Sequence, residues 1–209
     1  MIKIKYIVYF EFNTELVVNL IQNKIFSHNI EFKDIFEFFT FKKCFFKFSE
    51  IKNKVFIDCN FVDIDFGGTD LINCKFINCN FSNCELFHSN FKNCLFENIN
   101  ASNFDLRAGI LHKNNFKNCN FFNSCFRGSK ILENNFNFFI LSNCDIKNII
   151  FEKNTYQNTT YKFCNLFKSK FLNEELSNLQ LKNCNTFLSI FEGSLAYNNL
   201  ELDRFHIIN

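Results

Sequence analysis

Large apolar residues recur at every fifth position through the middle of the chain: Phe61, Phe66, Leu71, Phe76, Phe81, Leu86, Phe91 and Phe96. Two residues before most of them stands a small side chain, as at Cys59, Thr69, Cys74, Cys79, Cys84, Ser89 and Cys94. The phase does not slip. Between Phe36 and Phe191, every fifth residue is apolar or aromatic except Thr186, and every cysteine but Cys125 falls in the small column. A third column, two residues after the large one, is rich in asparagine, as at Asn73, Asn78, Asn83 and Asn93. An AT-rich genome would inflate Phe, Asn, Lys and Ile, but drift in composition cannot hold residues in register. A short strict period indicates a repeat architecture.

Five residues match neither the helical period of 3.6 nor the strand period of 2. They match a chain that turns a corner at each repeat, so that four sides close a square coil. Alternation along each short side turns the large residue and the small one before it inward. Coils spaced like neighbouring strands, roughly 4.8 Å apart, give a rod of about eight coils and ~40 Å. Phe61, Phe76, Phe81, Phe91 and Phe121 are expected to stack in its core. Cysteine serves there as a small buried hydrophobe, and asparagine suits the corners because it tolerates turn dihedrals.

The blocks CNF, CKF, CEL and CDI, ending at Phe61, Phe76, Leu86 and Ile146, resemble the A(D/N)LXX signature of the pentapeptide-repeat family. The resemblance runs from about Phe36 to Phe191. It implies an all-β fold, the right-handed quadrilateral parallel β-helix, with short terminal caps.

Outside the repeat, residues 1–12 alternate as a strand would, and Thr14 is an N-cap for a short helix with Val17, Leu20 and Ile21 on one face. Residues 1–30 are therefore expected to cap a solenoid spanning 31–194, whose open end would otherwise expose core and strand edges. The start lacks the small-residue cleavage site of a signal peptide. Residues 195–209 leave the phase, and Leu200, Leu202, Phe205 and Ile207 make them apolar. They form a lid or, as in resembling proteins, join two rods into a two-fold dimer. The weakest repeats, residues 101–115, contain Ala101 and Gly109 where larger or more regular residues are expected, which leaves room for a local bulge near Arg107 to Lys113.

Chemistry is sparse. In-register cysteines at Cys144, Cys164 and Cys184 do not meet disulfide geometry automatically, so free thiols and a cytoplasmic location are expected. No CxxC pair or Cys/His spacing suggests zinc. Gly67-Gly68 reads as a corner, because no Gly-Lys-Ser/Thr follows. No cofactor and no enzymatic activity are expected, and no apolar run approaches the ~20 residues of a membrane span. One outward column instead presents Asp65, Glu85, Asp105 and Asp145, interrupted by Cys125, with Lys47, Arg107, Arg127 and Lys147 beside it. Phe45, Phe48, Phe87, Phe167 and Phe187 share that side. The column reads either as self-neutralising charge on a solvated face or as a carboxylate ladder for a basic partner.

The family resemblance implies a non-enzymatic protein-binding rod that inhibits or protects type II topoisomerases such as DNA gyrase, conferring quinolone or toxin resistance by mimicking DNA. Net charge speaks against carrying this over whole. About 40 Å of duplex presents about 23 negative charges, whereas the chain has 21 acidic and 23 basic residues, net +2. The alternative is an interaction scaffold with an unrelated protein partner. Direct nucleic-acid binding through the slight basic excess is the least favoured reading.

Overall fold

The computed structural model describes residues 5–8, 16–26 and 34–193. Within them the chain winds as a four-sided β-solenoid in which residues twenty apart pair in parallel. We number the sides in chain order. Side 1 is centred on Phe36, Phe56 and Phe76, side 2 on Phe41, Phe61 and Phe81, side 3 on Phe46, Phe66 and Leu86, and side 4 on Ile51, Leu71 and Phe91. Sides 1, 2 and 4 form three-residue rungs such as Val55–Ile57, Asn60–Val62 and Asp70–Ile72. Side 3 is held by single bridges running from Ile25 and Phe45 through Asp65 to Asn185.

The five-residue rule appears directly as burial. Phe61, Phe76, Phe81, Phe91 and Phe121 are all buried, as the pattern predicts. Rings stack coil on coil. Along side 1, Phe56, Phe76 and Phe96 succeed one another at centroid distances of 5.0 and 5.1 Å, nearly parallel. Along side 2, Phe41, Phe61 and Phe81 do so at 5.1 and 4.7 Å. These are offset-stacked separations, favourable beyond the area they bury. The cysteines are free thiols, nine of them buried. Burial pushes the Cys84 and Cys119 thiols up to about 12, so they behave as small hydrophobes rather than nucleophiles.

Corners explain the asparagine column. Among the described residues, the one two after each large residue has φ near +55°, from Asn23 to Gly193, with Asn178 the exception. Asn and Gly tolerate this left-handed region best. The outward amides then bond one coil to the next: Asn78 Nδ2 donates to Asp58 Oδ1 at 3.1 Å, Asn98 to Asn78 at 2.8 Å and Asn118 to Asn98 at 3.1 Å.

Three expectations need correction. The short helix expected to carry Val17, Leu20 and Ile21 is not formed over these residues. Leu16–Gln22 is a strand that pairs antiparallel with Lys5–Val8 and parallel with Phe39–Lys42. The open rung of the first coil offers it a full backbone ladder, and β-branched Val17 and Val18 suit a strand. The solenoid consequently begins before residue 31: Ile21 lies opposite Phe41, and Phe26 is buried with its ring 4.4 Å from Phe46.

The third correction concerns the bulge near Arg107 to Lys113. Ile110–His112 is a regular rung paired on both sides. Gly109 is small because a Cβ there would come within 2.7 Å of Leu106 and 2.9 Å of the Ser89 carbonyl. Phe104 makes good the shortfall at Ala101, lying edge-on to Phe81 at 5.7 Å and Phe121 at 5.2 Å. Leu200, Leu202, Phe205 and Ile207 lie outside the described residues.

Candidate interaction surface

With aromatic rings filling the axis, the solenoid presents its outside. Side 3 brings the predicted acidic residues together. Asp65, Glu85 and Asp105 bridge in consecutive coils, and Asp145 follows one coil beyond Cys125. Their local chemistry is that of a turn. Asp65 Oδ1 accepts the N–H of Gly67 at 2.8 Å, Asp105 Oδ1 that of Arg107 at 3.1 Å, and Asp145 Oδ1 that of Lys147 at 3.3 Å. Asn165 and Asn185 do the same for Phe167 and Phe187, at 3.2 and 3.1 Å. A neutral amide thus performs the same task in each of the next two coils, so the position asks for a short side-chain oxygen and not for charge.

The remaining carboxylate oxygens of Asp65, Asp105 and Asp145 meet cations. Lys47 stands 3.7 Å from Asp65, Arg107 is 2.6 Å from Asp105, and Arg127 is 2.6 Å from Asp145 with Lys147 at 4.0 Å. Asp105 and Asp145 in turn hold the guanidiniums of Arg107 and Arg127 above their usual pKa. These exposed pairs stabilise little, about 0–1 kcal/mol each. What they do is cancel the column's field, because cations interleave with carboxylates at ion-pair distance.

The aromatic residues of the same side differ from the charges. Among the described residues, seven of the eleven large exposed hydrophobics belong to side 3 or its corners: Ile25, Phe45, Phe48, Phe87, Phe163, Phe187 and Leu188. They gather towards the two ends. Near the N-terminal end, Phe48 is 74% exposed and lies flat across Gly68, whose Cα leaves no room for a Cβ under the ring. Lys47 and Arg107 sit over Phe48 and Phe87 at 5.7 and 5.6 Å. A groove of ≈380 Å³ runs between these rings, floored by Asp65, Gly67 and Glu85. Near the other end, Phe167 and Phe187 stack at 6.0 Å with Lys168 at 5.2 Å from the Phe167 ring. A second groove of ≈560 Å³ lies beside Leu188 and Ile190. The fivefold pattern put these aromatics on one side. Their separation into two patches needed the stacking of coils.

No group of three or more His, Cys, Asp or Glu side chains in metal-holding geometry occurs among the described residues.

Residues 55–86 match the pentapeptide-repeat family, in eight copies. A comparison with curated protein sequences finds no match. Among solved structures, the chain is similar to full-length QnrB1, a plasmid-mediated fluoroquinolone resistance protein, at 17% identity and a TM-score of 0.35, covering 84% of this chain and 94% of that one. It is similar to HetL from the cyanobacterium Nostoc sp. strain PCC 7120, a pentapeptide-repeat protein involved in heterocyst differentiation regulation, at 9% identity and a TM-score of 0.33, covering 82% and 89%. It is also similar to the pentapeptide-repeat protein Rfr23 from the cyanobacterium Cyanothece 51142, at 13% identity and a TM-score of 0.23, covering 78% and 91%. Likeness at these levels assigns no role to any residue.

Proposed function

We propose that this chain, whose residues 55–86 match the pentapeptide-repeat family, acts as a protein-binding rod whose third side is the recognition surface. The observation that carries this is the gathering of exposed aromatics on one side of four. Isolated exposed hydrophobics need no explanation, but aligned ones mark contact. Phe87 and Phe167 are four coils apart, roughly 19 Å, so a partner reaching both aromatic patches must be a folded protein surface or an extended segment. Rigid rings cost little entropy to immobilise and supply most of the energy in such interfaces.

Occupying the DNA site of a type II topoisomerase is the finer reading that the family resemblance supports. A basic DNA saddle selects a continuous negative field. The net charge of +2 and the cations paired with Asp65, Asp105 and Asp145 in the Asp65/Glu85/Asp105/Asp145 column favour a partner recognised through its apolar surface instead. The reading therefore favoured is an interaction scaffold for a partner other than gyrase.

The discriminating experiment pairs two assays. Partner capture by the folded rod should be lost in the Phe87→Ser, Phe187→Ser double variant and kept in Phe122→Ser, Phe138→Ser, whose residues are equally exposed on sides 1 and 2. Gyrase supercoiling and quinolone-stabilised cleavage should be unchanged at micromolar rod. Inhibition or protection in the gyrase assay would replace this reading with the topoisomerase one. Capture that survives loss of both rings would remove side 3 from either.

A further inference from the structure

The inward small column of side 1 departs from the cysteine rule towards its C-terminal end. Asn114, Asn134, Asn154 and Glu174 follow one another at single-coil intervals, all buried. Their side chains form one hydrogen-bonded file. The N–H and Nδ2 of Asn114 both donate to Asn134 Oδ1, at 2.9 and 3.0 Å. Those of Asn134 donate to Asn154 Oδ1, at 2.8 and 3.1 Å. Those of Asn154 donate to Glu174 Oε1, at 3.3 and 2.8 Å. All donors point the same way, and the last acceptor among the described residues is a carboxyl that is 1% exposed.

The rod loses its regularity at this residue. Thr155–Gln157 pairs back onto Asn135–Asn137, but among the described residues no side 1 rung follows on its other edge. The next strand is Leu179–Lys182 on side 2. Asn178 lacks the positive φ of the corners on either side of it, Asn173 and Asn183. A cavity of ≈580 Å³ opens alongside, lined by Asn135, Asn137, Thr155, Gln157 and Asn178.

We propose that Glu174 is a proton-linked latch on the C-terminal coil. With its proton on, the carboxyl accepts from Asn154 as a neutral group and residues 174–192 stay docked. With its proton off, a buried charge favours opening at the irregular rung. Among the described residues, the ionisable groups facing it are the Tyr156 and Tyr161 phenols, themselves shifted up chiefly by burial, and the Glu152 carboxylate. Burial is the main cause that raises the Glu174 carboxyl to about 7. The Asn154 donors and Tyr156 oppose the rise, and Glu152 adds to it.

A folded-state pKa above the unfolded value means that the folded chain holds this proton more tightly. The associated stability is complete below about 4.5, falls as pH rises, and is lost once pH passes about 7. The test is amide hydrogen exchange of the full chain, normalised to the intrinsic rate at each pH. Residues 179–182 and 190–192 should exchange roughly tenfold faster at pH 8 than at pH 6, with residues 75–82 unchanged. Glu174→Gln keeps an acceptor for both Asn154 donors without the charge and should abolish the difference. Glu175→Gln, at the exposed neighbour, should retain it. A pH-independent wild type, or a Gln variant that still shows the difference, would overturn the proposal. So would a Glu174 side-chain ¹³C shift in the unmodified chain that titrates in the ordinary carboxylate range, a readout independent of any variant's folding.

Discussion

Single residues here answer to the corner they occupy more than to their own preferences. Asparagine at most positive-φ corners follows from its tolerance of that region, and the asparagine column made those corners legible in the sequence. Phe38, Phe48, Phe138 and Phe163 hold the same conformation at φ 51–56°, which a bulky side chain adopts only at some cost. Phe138→Asn should therefore stabilise the rod by about 0.5–1 kcal/mol, since the left-handed penalty falls and the new amide can join the file from Asn98 to Asn118. Chemical denaturation midpoints would show the gain. Asn134→Leu should act in the opposite direction. It removes the Oδ1 that accepts the Asn114 N–H and breaks the side-chain file between Asn114 and Asn154, at about 1–3 kcal/mol. The Asp65 column was harder to read at this scale. A sequence shows that a carboxylate stands beside a corner, but not that one of its oxygens already closes the turn.

At the scale of elements, packing overrode local preference twice. Thr14, Val17, Leu20 and Ile21 have helical spacing, yet Leu16–Gln22 is a strand because an open rung lies beside it. Helix propensity is worth tenths of a kcal/mol per residue, less than a row of ladder bonds and the apolar face that goes with them. The weak repeats around Ala101 stay regular because Phe104 crosses from the next column. Ala101→Phe should consequently overpack, costing about 1–3 kcal/mol. Most of this should return in the double variant with Phe104→Ser, which restores the small residue found at Ser124 in the same column. Calorimetric melting of the two single variants and the double one would measure that coupling. The irregular rung near Glu174 left no trace in the phase, because Leu176 keeps its place and is buried. The only available signal was a carboxylate standing in a small inward column.

The whole molecule was the most legible level. A fivefold period held over so many repeats leaves few ways to bury its large residues, and the square coil satisfies them together. Phe61→Ala, at the middle of a stack, should cost about 3–5 kcal/mol and should be felt along the rod, because each coil is stabilised through its neighbours. The partner was not legible, since recognition depends on which outward residues stacking brings into line. Of those, the charges cancel locally and the aromatics do not. The measurement that bears most directly on this picture is pulsed dipolar EPR between spin-labelled unnatural amino acids on one exposed column of side 4. A common label at position 192, in place of Glu192, would be paired in turn with one replacing Lys92 and one replacing Lys52. Five and seven coils should separate them, giving distances near 24 and 34 Å with narrow distributions. Broad distributions, or a distance that fails to grow by roughly 10 Å between the pairs, would contradict the stacked coil and the recognition surface built on it.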